Sequence, residues 1–400
     1  MNSRADPEDY AFFGAKPLFD TIRSTSNLVR PDFARFLEYS RQFLEAGNSP
    51  GGQPVERLLE QRLAEFHHTQ HCVSLCSGFW ALVLAIKAVA LPGRTEVIIP
   101  SLTYRRLADL VAWAGLVPHF CEVDPDRLCI TAKTARQCIS EDTALIVGVH
   151  PIVNCCDAEG LETLSVETGI PLLFDSVESV YETINHRKVG SFGLAECFSL
   201  HASKLLNGFE GGYVTTNNRS LADRIGALGG DLLVGADDAP EGAMNARQNQ
   251  VHAAMALAAL DGIEQQVDSN RRRYYRYRAG LADVRGLRLL EFDETDQCSY
   301  KNIVVELLDS WPISRDFTLD LLHKENMLCR PYYSPPLHKR AMTYPSVCGD
   351  LRLTERLAER FLTLPCGYFV TEDDVGQICE YLHSLCMHGA ALTARAATRS

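Results

Sequence analysis

Between Cys72 and Leu200 the chain keeps returning to one unit, a short continuous apolar run followed by apolar residues at helical spacing. Apolar runs of strand length belong to strands buried on both faces, and such strands alternating with helices build a parallel sheet covered on each side. Cys72–Cys76, Glu96–Pro100, Pro118–Glu122, Ala144–His150, Ile170–Asp175 and Glu196–Leu200 read as the strands, with helices over Trp80–Val89 and Arg106–Ala114 among them. A helix over Val55–Phe66 precedes the series. After residue 245 the pattern changes to long helices, Gln250–Gln266 and Ser269–Ala282, and then to a mixed segment whose clearest strand begins at Lys301. The expected fold class is α/β: a large domain with a mostly parallel, doubly wound sheet flanked by helices, plus a smaller α+β C-terminal domain. The expected boundaries are an N-terminal helical segment over 1–50 with a loop at Gly47–Gly52, a large domain over 51–265, a small domain over 266–388, and a frayed, small-residue tail over 389–400.

In open α/β sheets, ligands gather outside the carboxyl ends of the strands. Two of these ends carry chemistry. Ile170-Pro-Leu-Leu-Phe-Asp175 delivers a carboxylate, and the strand ending at Leu200 leads into His201-Ala-Ser-Lys204, an amine in a loop of small residues and glycines. Packing alone does not explain a lysine there. An acid that keeps a pyridine nitrogen protonated, beside a lysine able to form a Schiff base, is the pair that pyridoxal phosphate requires. Ser77-Gly78-Phe79-Trp80 ends the first strand and opens a helix, so its amides and the helix dipole form a seat for a phosphate. Read alone it is an ordinary strand-to-helix turn. Ser199 offers a hydroxyl to the same phosphate or a local cap, Tyr104 a ring to stack on a flat cofactor or a rim residue, and Glu178 a further polar group or a helix-start carboxylate.

The bulk composition narrows the partners. A formal net charge of −12 with no long Lys/Arg block argues against nucleic acid or an anionic membrane, so a small-molecule site is expected. Charged opening residues and the lack of any run of roughly 18 apolar residues point to a cytoplasmic chain. Fourteen cysteines are scattered without a CxxC pair. The cluster His67, His68, His71, Cys72 and Cys76 lies partly on a strand run, unlike zinc ligands held in turns, so no metal is expected.

In their order these motifs resemble the DegT/DnrJ/StrS sugar aminotransferases, pyridoxal-phosphate enzymes of the aspartate-aminotransferase fold type I. The likeness runs from about Leu58 to Leu385. It takes in Ser77-Gly78, the segment from Pro92 to Tyr104, Glu122-Val-Asp-Pro125, Lys188-Val-Gly-Ser-Phe-Gly193, the Lys204 loop, Asn245-Ala-Arg247 and Pro331-Tyr-Tyr-Ser-Pro-Pro-Leu-His338. The resemblance implies that Lys204 forms the internal aldimine and moves the substrate proton, that Asp175 meets the pyridine nitrogen, that Tyr104 stacks, and that Gly78, Phe79 and Ser199 hold the phosphate. It also implies a homodimer in which Asn245 reaches the partner's site, with Tyr333 and His338 as substrate contacts. Relatives that dehydrate carry histidine at the lysine position, so Lys204 favours transamination.

The implied reaction moves an amino group from glutamate or glutamine to a ketone of a nucleotide-linked sugar. The alternatives are a cyclitol or other non-nucleotide ketone, and a catalytically silent cofactor-binding sensor. Three positions depart from the family pattern: Phe79 replaces a hydroxyl residue, Glu178 replaces Gln or His, and Leu228-Gly-Gly-Asp231 replaces an Arg-Asn-His-Gly stretch. An ionised Glu178 would repel a phenolate oxygen on the cofactor. Substrate choice is expected to lie in the loops over 229–242 and 330–338.

Overall fold

The computed structural model describes residues 6–24, 31–44, 54–230 and 240–398. The expected loop at Gly47–Gly52 and most of the 229–242 loop lie outside the described residues. In chain order the large sheet takes β1 (His71–Leu75), β2 (Glu96–Pro100), β3 (Val117–Cys121), β4 (Thr143–Val149), β5 (Leu172–Asp175), β6 (Ala195–Ser199) and β7 (Gly212–Thr216). The C-terminal part adds β8 (Leu287–Leu289), β9 (Ile303–Leu307), β10 (Arg330–Pro331), β11 (Val347–Cys348) and β12 (Phe361–Leu364). The helices among the described residues follow in chain order as α1 (Phe33–Leu44), α2 (Val55–Phe66), α3 (Gly78–Val89), α4 (Leu107–Trp113), α5 (Ala132–Cys138), α6 (Ala158–Thr168), α7 (Arg219–Leu228), α8 (Gln250–Asp261), α9 (Ile263–Leu281), α10 (Arg315–Lys324), α11 (Arg352–Ala358) and α12 (Glu372–Ala397).

The large sheet runs β11-β3-β2-β4-β5-β6-β7-β1. Every neighbouring pair from β11 to β6 is parallel, whereas β7 is antiparallel to both β6 and β1. β1 therefore points the same way as β6. That direction brings Leu75, Pro100, Val149, Asp175 and Ser199 to one edge, together with the first residue of β7, Gly212. β8-β9-β12-β10 form the second, antiparallel sheet.

β4 and β5 are buried along their whole length, as continuous apolar runs require. The helix α3 (Gly78–Val89) is apolar nearly all round, with Ala81 to Ile86 and Ala88 buried, because it lies under β6 and β7 with α4 (Leu107–Trp113) and α7 (Arg219–Leu228) beside it. His67 is no metal ligand: its Nδ1 lies 2.6 Å from the Val189 carbonyl and its Nε2 2.9 Å from the Tyr213 hydroxyl, deep in the core.

Two sequence expectations change. The long helical stretch divides at Gly262, giving α8 (Gln250–Asp261) and α9 (Ile263–Leu281), and not between Gln266 and Ser269. Apolar spacing continues across the junction and conceals it, while glycine, a poor helix former, sits there at φ −101°, ψ 7°. The expected frayed tail is also corrected. Helix α12 (Glu372–Ala397) continues through it, with Leu392 fully buried and Gly389 set so close to Pro312 that a Cβ would fall 2.6 Å from its ring. Small size is what this packing demands. Among the described residues no helix is long and apolar enough to cross a membrane, and no group of three or more His, Cys, Asp or Glu could hold a metal ion.

Candidate active site

The carboxyl edge of the large sheet holds a cleft of about 460 Å³ lined by Gly78, Phe79, Tyr104, Arg106, Ser199 and His201, among others. Its floor is the turn between β1 and α3. Ser77 caps α3 by accepting from the Trp80 amide at 3.2 Å. Gly78 is pressed against the next strand end, so that a Cβ there would lie 2.7 Å from Ser199 Cβ. Gly212 closes on the turn from the other side, where a Cβ would lie 2.4 Å from the Gly78 nitrogen. Side chains are excluded from both positions, which leaves the first amides of an apolar helix facing the cleft, as an anion seat requires. Gly78→Ala must displace Ser199 or the turn. Titration with pyridoxal phosphate is expected to show affinity lowered by about ten- to a hundredfold, the equivalent of 1–3 kcal/mol of overpacking, with the far-ultraviolet circular dichroism unchanged.

Phe79 stands where a hydroxyl residue was expected by resemblance. Its ring lies edge-on to Trp80, at 5.2 Å between centroids, and carries the Arg106 guanidinium 5.1 Å above it. The cleft thus has a cation that the sequence reading did not single out, since Arg106 appeared there only as a helix start. Tyr104 is 41% exposed at the rim of the cleft. Ser199 Oγ accepts from the His201 amide at 3.3 Å.

Deeper in the edge, Asp175 is 1% exposed, and one carboxylate oxygen accepts from the Val177 amide at 3.3 Å. Burial pushes its carboxyl up to about 6, against the lowering effects of the Val177 amide and of Lys204. Lys204 Nζ donates to Glu178 Oε1. The other oxygen of Glu178 accepts from Lys301 Nζ at 2.6 Å and from Asn302 Nδ2 at 3.3 Å. Burial pushes the Glu178 carboxyl up, but the two ammonium groups outweigh it and hold the group well below the usual carboxylate range. Glu178 is therefore ionised, and its charge is spent on two lysines.

Of the two residues expected at the substrate side, Tyr333 stands near this cluster, within the influence of Glu178, Asp175 and Tyr104, and burial pushes its phenol well up. It holds φ +48°, a left-handed conformation that is costly without glycine. His338 uses both ring nitrogens to dock the loop, with Nδ1 2.7 Å from Ser101 Oγ and Nε2 3.1 Å from Glu355 Oε1. Asn245 is exposed, next to the bridge between Leu75 and Arg247. Of the divergent Leu228–Asp231 stretch, Leu228 ends α7 and Asp231 lies outside the described residues. Lys301 was legible in the sequence only as a charged residue opening an apolar strand.

The arrangement combines an anion seat, a buried acid able to receive a cation, and an amine beside a carboxylate. Known proteins with the same frame fit it. A solved structure of DesI in the presence of its TDP-sugar product superimposes with a TM-score of 0.88, at 34% identity over 97% of this chain and 99% of that one. GDP-perosamine synthase of Vibrio cholerae is 26% identical over 83% of this chain and 90% of its own length. The L-glutamine:2-deoxy-scyllo-inosose aminotransferase of Micromonospora echinospora is 33% identical over 58% of each chain. The DegT/DnrJ/EryC1/StrS aminotransferase family matches residues 33–383, which span both sheets and every residue of the cleft, and the chain belongs to that family.

Proposed function

We propose that the protein is a pyridoxal-phosphate-dependent aminotransferase that moves an amino group from glutamate or glutamine to a keto carbon of a nucleotide-linked sugar. The observation that carries this reading is the meeting of Lys204, Asp175 and the Cβ-free seat of Gly78 and Gly212 at one sheet edge. The residues fit the cofactor: the seat suits its phosphate, and Asp175, whose carboxyl burial raises to about 6, suits a protonated ring nitrogen. When bound, pyridoxal phosphate supplies a carbon for amine exchange and a ring that delocalises the electron pair left by the departing substrate proton.

The protein's own groups do the rest. The Gly78 and Phe79 amides with Ser199 would hold the phosphate, Arg106 would add positive charge there, and Tyr104 would stack on the ring. Asp175 would keep the ring nitrogen protonated, and Lys204 Nζ would take and return the proton at the substrate carbon. Glu178 gives the Lys204 ammonium a place to rest. The protein works as a homodimer, with Asn245 serving the partner's site, in keeping with its exposure on a single protomer.

The 33% identity to the scyllo-inosose enzyme favours a second reading, a cyclitol ketone as acceptor. The full-length likeness to DesI favours the nucleotide-linked sugar. With glutamate or glutamine as donor, keto sugars linked to GDP, dTDP or UDP are compared with 2-deoxy-scyllo-inosose by kcat/KM. At least one nucleotide-linked substrate is expected to be preferred by about a hundredfold or more. A preference of that size for the cyclitol overturns the sugar reading.

A further inference from the structure

Lys301 belongs to no part of the site read from the sequence, yet it is the most deeply placed cation there. Its side chain is 5% exposed, and its Nζ lies 2.6 Å from Glu178 Oε2. Lys301 lies two residues before β9 of the small sheet, whereas Glu178 follows β5 of the large one, so the pair ties the second sheet to the edge that carries Asp175. Asn302 binds the same carboxylate oxygen, and Lys204 binds the other one alone. The other charged or titratable groups that act on this pair include Asp175, Glu182, Tyr332, Tyr333 and Cys366.

The two lysines are not equivalent. An amine that takes part in amino-group transfer must give up its charge and leave its ion pair once in each half-cycle. Lys301, bound to the other oxygen, is the more enclosed of the two, 5% exposed against 18% for Lys204. We propose that Lys301 is a positioning residue, the permanent counter-ion of Glu178, which keeps that carboxylate charged while Lys204 is engaged and so preserves a docking point for the Lys204 ammonium when it is released. A carboxylate can stand where a neutral side chain was expected because Lys301 neutralises it. Removal of Glu178 would leave the buried Lys301 ammonium without its carboxylate, and removal of Lys301 would leave Glu178 with Lys204 as its one ammonium partner, whereas removal of both leaves neither charge in place.

This inference rests on the aminotransferase reading for its role and on geometry alone for the pair, and one set of variants separates the two. Lys301→Met, Lys301→Arg, Glu178→Gln and the double variant Glu178→Gln/Lys301→Met are compared first without cofactor. Lys301→Met is expected to lower the melting temperature by several degrees, the double variant to lose clearly less than the sum of the singles, and Lys301→Arg to stay near the parent. In the cofactor-loaded proteins, the pH midpoint of the visible absorbance reports the protonation of the nitrogen that joins Lys204 to the ring. Lys301→Met leaves an uncompensated carboxylate beside that nitrogen and is expected to raise the midpoint by about one pH unit. Glu178→Gln is expected to lower it, with the double variant between the two. Should Lys301→Met fail to fold, Lys301→Arg and Glu178→Gln still give the midpoints. Strictly additive melting temperatures, or midpoints that stay with the parent in both single variants, overturn the proposal. A protein that shows the coupling but takes up no pyridoxal phosphate keeps the pair and refutes the aminotransferase reading instead.

Discussion

Lys204→Ala is expected to abolish amino-group transfer, lowering the rate of each half-reaction by at least about a thousandfold while the protein stays folded. The size follows from what the residue supplies: loss of a positioned proton-transfer group alone is worth about 10²- to 10⁴-fold, and among the described residues no other amine at the sheet edge is free to replace it. Lys301 is held by Glu178 in a nearly closed environment. Folding is spared because the Lys204 side chain is 18% exposed, and Glu178 keeps Lys301 and Asn302 as partners after its loss. Stopped-flow absorbance with glutamate, beside a melting curve, tests both halves of the expectation. Turnover within tenfold of the parent would remove Lys204 from the mechanism.

Asp175→Asn is expected to lower kcat by about a hundred- to a thousandfold, because a neutral amide cannot balance the charge of a protonated ring nitrogen. It is also expected to stabilise the cofactor-free protein in a pH-dependent way. Burial raises the Asp175 carboxyl from its usual 3.8 to about 6, so the folded chain binds this proton more tightly than the unfolded chain. The contribution of the group to stability is therefore greatest below about pH 4 and is lost as pH rises through about 6. Above that range the ionised carboxylate costs on the order of 3 kcal/mol. Cofactor-free Asp175→Asn should thus melt a few degrees above the parent at pH 8 and show no such gain at pH 4. Melting curves that run parallel across this range would mean that Asp175 carries no such burden. Loss of function with gain of stability marks a residue kept for chemistry.

Much of this was legible in the sequence, for identifiable reasons. Fully buried strands betray themselves as apolar runs, so β2 appears at Glu96–Pro100 and the end of β5 at Asp175, as expected from pattern alone. The Val55–Phe66 helix likewise keeps its expected limits. What sequence periodicity cannot convey is a change that preserves it: α8 and α9 share apolar spacing across Gly262, and the small residues after Gly389 serve close helix packing as well as they would serve a frayed end.

In the site, the strand-end residues were visible because topology alone brings Asp175, Ser199 and the Gly78 turn to one edge. Long-range partners were not. Glu178 looked like a source of repulsion because its cation, Lys301, lies 123 positions along the chain. Phe79 looked like a lost phosphate contact because the guanidinium above its ring belongs to another strand-to-helix connection. Both departures from the family pattern turn out to be accompanied by a cation, which no local reading of either segment contains.

Whether Lys204 Nζ is the amine joined to pyridoxal phosphate is decided by borohydride reduction of the cofactor-loaded protein, followed by proteolysis and mass spectrometry. The expected result is the mass of the reduced pyridoxyl phosphate on the peptide that contains Lys204, and its loss when the protein is first converted by glutamate or glutamine. Label on the Lys301 peptide, or on no peptide at all, would contradict it.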